Sequence, residues 1–298
     1  MSSDALAAAQ RIGLARPRRR GWQATLRRFS RHRLFMVGFV LCAIVLFCAL
    51  FADVIATHDP VRIRMREAFQ TTSAAHLFGT DSLGRDIFSR VVYGARVSLA
   101  IGLSTVVLSG AFGVLFGVLA GYFMAWDDAI MRFMDALMSF PPVLLALAIA
   151  AALGPSATNV VLAIFVPYVP RTARLVRASA LTVRELDFVS AARAIGAGDV
   201  RIVFRHILPN CLAPLIVQLT FVFAIAVLSE AALSFLGLGP PPPTPSWGNI
   251  IADGRDYLRE AWWICLFPGI AISLTVLGLN LLGDGLRDLI DPRLKVEQ

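Results

Sequence analysis

One carboxylate stands alone in a long apolar stretch: Glu230, within the run from about Leu212 to Leu236. An ionisable group so placed faces a bundle interior and is a functional candidate by default. Two roles fit it. One is contact with a substrate amino group near an outer gate of a translocation pathway. The other is a structural hydrogen bond to a second helix or to a partner chain. The remaining reactive side chains match no catalytic spacing. Cys42, Cys48, Cys211 and Cys265 sit singly in apolar stretches, with no CxxC and no Cys/His cluster. No metal site and no disulfide framework is therefore expected. His206 has no second ligand near it in the sequence. A phosphate-cradling Walker A loop needs Gly-Lys-Ser/Thr, and the only lysine is Lys295 in the tail. HExxH and GxSxG are absent as well. The expectation is a chain that is not an enzyme, has no catalytic residue and binds no cofactor itself.

The composition says what holds these residues. The chain has 298 residues, 57% hydrophobic and 16% charged, with mean hydropathy +0.70. Soluble domains average about 45–50% apolar and about 25% charged. An ordinary soluble domain is excluded, and so is disorder, which needs low hydrophobicity. The 28 basic residues against 20 acidic ones leave a net charge of +8. That surplus fits either a nucleic-acid partner or basic cytoplasmic loops of a membrane protein.

Uncharged runs of about 20 residues predict membrane-spanning helices. The first covers 34–52. The second is the uncharged run Val97–Trp126, with small residues recurring along it. The run Ala136–Pro170 is broken by Gly154-Pro155-Ser156, which predicts a third span at about Phe133–Leu153 and a fourth at about Ala157–Val176. The fifth is about Leu212–Leu236 and the sixth Ala261–Gly283. The fold class is an all-α membrane protein of six transmembrane helices. The division is a basic N-terminal segment (1–33), the first helix (34–52), an extracytoplasmic loop (53–96), a five-helix core (97–286) and a tail (287–298). With the N-terminus cytoplasmic, twenty of the 28 basic residues fall on the inner side, which predicts both termini inside. They are spread over membrane-flanking segments rather than gathered on one soluble face, so nucleic-acid binding is not expected. The run Arg16-Pro17-Arg18-Arg19-Arg20 suits topology or contact with anionic membrane lipid.

Three loops carry pattern. Thr80–Tyr93 predicts an amphipathic helix with Leu83, Ile87 and Val91 on one stripe, Asp86 and Arg90 on the other face, and Thr80 or Asp81 as N-cap. Such a helix suits the membrane interface or an extracytoplasmic partner. The stretch from Gly237 contains Pro240 to Pro243, a stiff extended segment, with Trp247, Trp262 and Trp263 as expected interfacial anchors. Pro141-Pro142 predicts a bend in the third span. Arg132 and Asp135 are expected to cap that span or pair there. Loop 177–210 is longer than a turn requires. Asp187–Gly196 reads as a short helix with Phe188, Ala191, Ala192 and Ile195 on one face. Val200–Asn210 reads as a second, broken by Pro209-Asn210. Two short helices projecting from a bundle fit a groove on a cytoplasmic protein or lie on lipid headgroups.

This loop resembles the EAA loop of ATP-binding-cassette importer permeases. The family pattern of Glu-Ala-Ala, three residues, Gly, then Leu-Pro reads here as Ser190-Ala191-Ala192, Gly196 and Leu208-Pro209. Ser190 stands in the place of the family Glu, which weakens any expected salt bridge from that position. Segments Phe78–Asp86, Tyr93–Leu99, Ala231–Gly239 with Ser246-Trp247-Gly248, and Gly283–Asp288 with Asp291-Pro292-Arg293 are similar to the dipeptide/oligopeptide/nickel subfamily, closest to its C-type dipeptide subunits. The resemblance implies a type I importer permease in the bacterial cytoplasmic (inner) membrane. It implies a second permease subunit as partner, usually a different one in this family and so a heterodimer, together with two cytoplasmic ATPase domains that bind ATP and Mg, and an extracytoplasmic solute-binding protein. Ser190, Ala191, Ala192, Gly196, Leu208 and Pro209 would form the ATPase-docking loop. The implied solute is a small peptide, with nickel or another small solute as the alternative. Half of a secondary transporter is the rival class, and it would usually carry paired intramembrane charges.

Overall fold

The computed structural model describes residues 29–30 and 32–290. The Arg16–Arg20 run, Asp291-Pro292-Arg293 and Lys295 lie outside the described residues. The regular elements are helices: α1 (Arg33–Leu50), α2 (Ala52–Ile55), α3 (Ile87–Tyr122), α4 (Met124–Met138), α5 (Pro142–Leu153), α6 (Ala157–Arg184), α7 (Asp187–Ala194), α8 (Asp199–Ile202), α9 (Leu208–Phe235), α10 (Trp247–Gly254) and α11 (Trp263–Ile290). Five of the helical stretches are long and apolar enough to cross a membrane, and the bent pair α4–α5 makes a sixth when taken as one span.

Small residues set the packing of the two central helices. Gly113, Gly117 and Gly121 of α3 lie against Thr172, Val176 and Ala180 of α6 in that order. Both series advance together, so α3 and α6 run parallel. Each glycine lets one backbone approach the other, the usual device of membrane helices. Parallel helices require the chain to return between them, and α4–α5 makes that return. Helix α9 runs antiparallel to α3, with Gly102 against Phe223 and Gly110 against Leu219. Helix α11 runs antiparallel to α1, with Gly285 against Phe35 and Gly278 against Cys42. The start of α1 and the end of α11 therefore sit at the same end of the bundle as α7. The opposite end holds loop 56–86 and α10.

The helix expected at Thr80–Tyr93 is not a separate interfacial element. Residues from Ile87 on are the first turns of α3, which continues unbroken through position 97, so the expected boundary at 96/97 falls inside a helix. The N-cap is Asp86, whose carboxylate accepts from the Ser89 amide at 2.8 Å. Its polar face looks inward: Asp86 and Arg90 are both buried.

The bend expected at Pro141-Pro142 is present, and it is a full break. Pro141 is extended and α4 and α5 meet at 86°. Pro142 lacks an amide hydrogen and pushes the residue before it out of helical geometry, so the break is complete. Asp135 pairs with Arg174 of α6 rather than with Arg132.

Pro209 does not interrupt the chain's helix. Residues Val203–Ile207 form a π-turn, and the Leu208 amide bonds back to the Val203 carbonyl. The wider turn accommodates the proline, which has no amide to give, and α9 starts at Leu208 without a break.

Trp247 and Trp263 are buried rather than interfacial, since each indole N–H finds a backbone acceptor inside: Val91 O at 2.9 Å and Thr80 O at 3.1 Å. Trp262 is exposed.

Candidate functional site

The end of the bundle that carries the expected docking loop is built on α7. Arg184 ends α6, and after two intervening residues Asp187 begins α7. Val189 and Ala192, three apart, turn into the bundle. Val189 joins a cluster with Tyr122, Val176, Val183, Ile202 and Ile207. On the outward side Phe188 is 43% and Ile195 87% exposed, and Ser190, Ala191 and Gly196 are exposed too. The sequence places Ala192 on the outward face with its neighbours, but the structure puts it inside. The outward ridge is Phe188, Ala191 and Ile195. Leu208 is half-buried and Pro209 exposed at the start of α9.

Gly196 ends the helix for a definite reason. Its φ is +85°, the left-handed region that favours glycine. The Ala197 amide donates to the Ala192 carbonyl at 3.0 Å and the Gly196 amide to Arg193 at 2.9 Å, the paired bonds of a Schellman cap. The chain reverses there, and an open cleft of about 1010 Å³ follows, lined by Gly196, Gly198, Val200, Arg201, Phe204 and Arg205. Val200 and Phe204 expose apolar surface into it. The arrangement is an apolar ridge beside an open cleft of mixed polarity, with Asp199, Arg201 and Arg205 in its wall. It can receive a helix or a loop of a second protein.

This end is tied to the long helices. Tyr122, the last residue of α3, donates its hydroxyl to Asp199 at 2.6 Å, and the Arg193 guanidinium lies over the Tyr122 ring. Arg177 of α6 grips Asp127 of α4 through two nitrogens. Through these contacts the segment around α7 touches the ends of α3, α6 and α9.

At the opposite end, Glu230 is fully buried on α9. Ser98 of α3 donates to one carboxylate oxygen at 2.8 Å, and Ser234 to the other at 2.7 Å. Ser98 also accepts from the Trp247 amide at 3.4 Å, and Ser246 reaches Ser234 at 3.5 Å. Glu230 thus joins α3, α9 and the proline-rich connection into α10. At the same end, four charges form a network that the sequence spacing reveals only in part. Arg85 donates to Asp81 at 2.6 Å and to Asp253 at 2.8 Å, and Arg90 bonds the same two carboxylates. These pairs pin loop 79–86 to α10. They flank a cavity of about 450 Å³ walled by Pro240 to Pro243. A sequence signal existed in the Asp-x-x-x-Arg-x-x-x-x-Arg spacing, but the third partner, Asp253, lies more than 160 residues on. A last tether fixes the start of this loop: Arg96, and then Tyr93, bond Asp53 and hold its carboxyl down to about 2.

Comparison with known proteins places these features. Residues 113–296 match the family of binding-protein-dependent transport system inner membrane components. Residues 21–74 match the N-terminal membrane domain of oligopeptide transport permease C. A Brucella abortus protein named as a peptide transport system permease is 57% identical over 92% of each chain. A di/tripeptide transport system permease of Pseudomonas aeruginosa is 46% identical over 94% of this chain and 93% of its own. A dipeptide transport system permease of Escherichia coli is 48% identical over 90% and 91%. Among solved structures, the inward-facing MetNI methionine ABC transporter is similar in fold, with TM-score 0.56 and 19% identity, over 69% of this chain and 98% of that one.

Proposed function

Because the chain belongs to the binding-protein-dependent transport system inner membrane component family, we propose that it forms half of the translocation pathway of an ABC importer for small peptides. It is a multi-pass inner-membrane permease subunit, and membership of this family sets aside the secondary-transporter reading. The peptide solute rests on the names of its relatives. A second permease subunit completes the pathway, two ABC ATPase domains carrying ATP and Mg drive it from the cytoplasm, and an extracytoplasmic binding protein delivers the solute. Both termini and α7 face the cytoplasm, as the distribution of arginines suggests.

One observation carries the docking assignment: Phe188, Ala191 and Ile195 stand exposed on a helix whose other side is locked into the bundle. Ser190 lies on the exposed side without a carboxylate, so that position offers no ion pair and the apolar ridge carries the contact. ATP closes the two ATPases, α7 follows its groove, and α3, α6 and α9 move with it through Tyr122 and Val189. The work comes from the difference in nucleotide affinity between the two states.

The test separates ridge from anchor. The double variant Phe188→Asp, Ile195→Asp should lose the ATPase subunits on co-purification while the chain's own melting temperature stays unchanged. Ala192→Glu, which buries an unpaired charge, should lower the melting temperature as well. Retained ATPase and normal transport in the double variant would overturn the docking assignment. Peptides released from the co-purified binding protein, read by mass spectrometry, test the solute.

A further inference from the structure

Loop 56–86 gathers three side chains that the membrane and docking chemistry do not use. His58, His76 and Asp86 each offer one ligand atom, and these atoms all lie within 4.8 Å of one another. His76 Nδ1 is 2.8 Å and His58 Nδ1 3.8 Å from the same oxygen, Asp86 Oδ1. We propose that His58, His76 and Asp86 bind a divalent transition ion of the zinc class and clip this loop to the start of α3. The inference stands on these side chains alone and not on the transport reading.

Three further features point the same way. The first is the division of labour at Asp86. Its Oδ2 is used as the helix cap, accepting from the Ser89 amide and hydroxyl at 2.8 Å each, while Oδ1 is turned to the histidines. The second lies behind His76. Its Nε2 is 3.4 Å from Glu67 Oε2, so the imidazole presents one nitrogen to the cluster and the other to a carboxylate. That carboxylate–histidine relay is the usual support of a metal-bound histidine. The third is space: a cavity of about 230 Å³ borders the cluster and is lined by His58, His76, Asp86, Glu67, Asp59 and Arg64. It leaves room for a fourth ligand, water or a donor from a solute or partner.

Two imidazoles and one carboxylate are the ligand set of open zinc sites, and zinc holds such atoms at about 2.0–2.2 Å. Ligands at that radius stand roughly 3.3 Å apart in a tetrahedron, so closing the widest pair, now within 4.8 Å, by about 1.5 Å completes the site. His58 can make it. It is half-buried on the loop, its ring nitrogen otherwise meets only the Thr57 hydroxyl at 3.0 Å, and its backbone amide is held by Ser89. The sequence does not announce the site, because positions 58, 76 and 86 match no short metal motif.

The test uses the full chain with its partner subunits in detergent, without a histidine tag, stripped by chelator and titrated with zinc and with cobalt. One equivalent should bind, cobalt should give the strong visible bands of a tetrahedral ion, and zinc should raise the melting temperature. His58→Gln and His76→Gln should each weaken binding at least tenfold, and Glu67→Gln about ten- to a hundredfold. His206→Ala should leave the titration unchanged. His76 is buried, so if its variant misfolds, His58→Gln alone decides. Absence of zinc binding, an octahedral cobalt spectrum, or wild-type affinity in His58→Gln would overturn the proposal.

Discussion

Two serine hydroxyls, one from α3 and one from α9 itself, donate to the Glu230 carboxylate, one to each oxygen. Removing the acceptor strands both donors in a dry interior, at about 1–3 kcal/mol for each group left unpaired. Glu230→Ala should therefore lower the melting temperature of the purified complex markedly. Glu230→Gln keeps an acceptor and should cost less, and equal losses in the two variants would remove the hydrogen-bonding account. The sequence shows Glu230 plainly, as a lone carboxylate in an apolar run. Its partners are not legible there, because serines are unremarkable in membrane helices and Ser98 lies 132 residues away. Asp86 and Arg90 show the converse. Alternation with apolar neighbours makes them look solvated, yet they are buried because Asp253 and His76 supply partners from distant segments.

Helices α3 and α6 touch through glycine, and there the tolerance for change is smallest. A Cβ placed on Gly117 would lie 2.6 Å from the Ala173 carbonyl and 2.7 Å from Val176 Cβ. Gly117→Val forces the two backbones apart, and overpacking of this kind costs about 1–3 kcal/mol. The expected result is a lower melting temperature and reduced transport. Gly269→Ala in α11 meets nothing within 4 Å and should be neutral or stabilising, in line with the helix preference of alanine. The long helices were legible as uncharged runs, because length and apolarity alone commit a segment to the membrane. Their ends were not. The α3 start was hidden by charges that fold inward and the start of α9 by a π-turn that absorbs Pro209, whereas Pro141-Pro142 marked the α4–α5 bend but not its depth. The short α7 was legible as a helix, but its eight residues give too little periodicity to orient its faces, so Ala192 was placed outward.

The parallel course of α3 and α6 makes the bundle's traverse count even, so both described chain ends share the docking end. This can be checked on the whole molecule. In a background lacking the native cysteines, a cysteine at Ile195 should react with an impermeant reagent only in inverted vesicles, and one at Arg259 in intact spheroplasts. Labelling of both from the same side would overturn the topology. The arrangement was partly legible in the distribution of arginines, but parallel packing was not, since glycine spacing does not say which way a neighbour runs. Length then has a mechanical meaning. The 36 residues of α3 make a rod about 54 Å long, and a tilt of about 10° displaces one tip from the other by roughly 9 Å. The Tyr122 tip is gripped by the docking loop and the Asp86 tip carries the outer loop. A small angular stroke delivered at one face of the membrane thus arrives at the other as a movement the size of an amino acid, and no signal has to pass through the bilayer except the stiffness of a single helix.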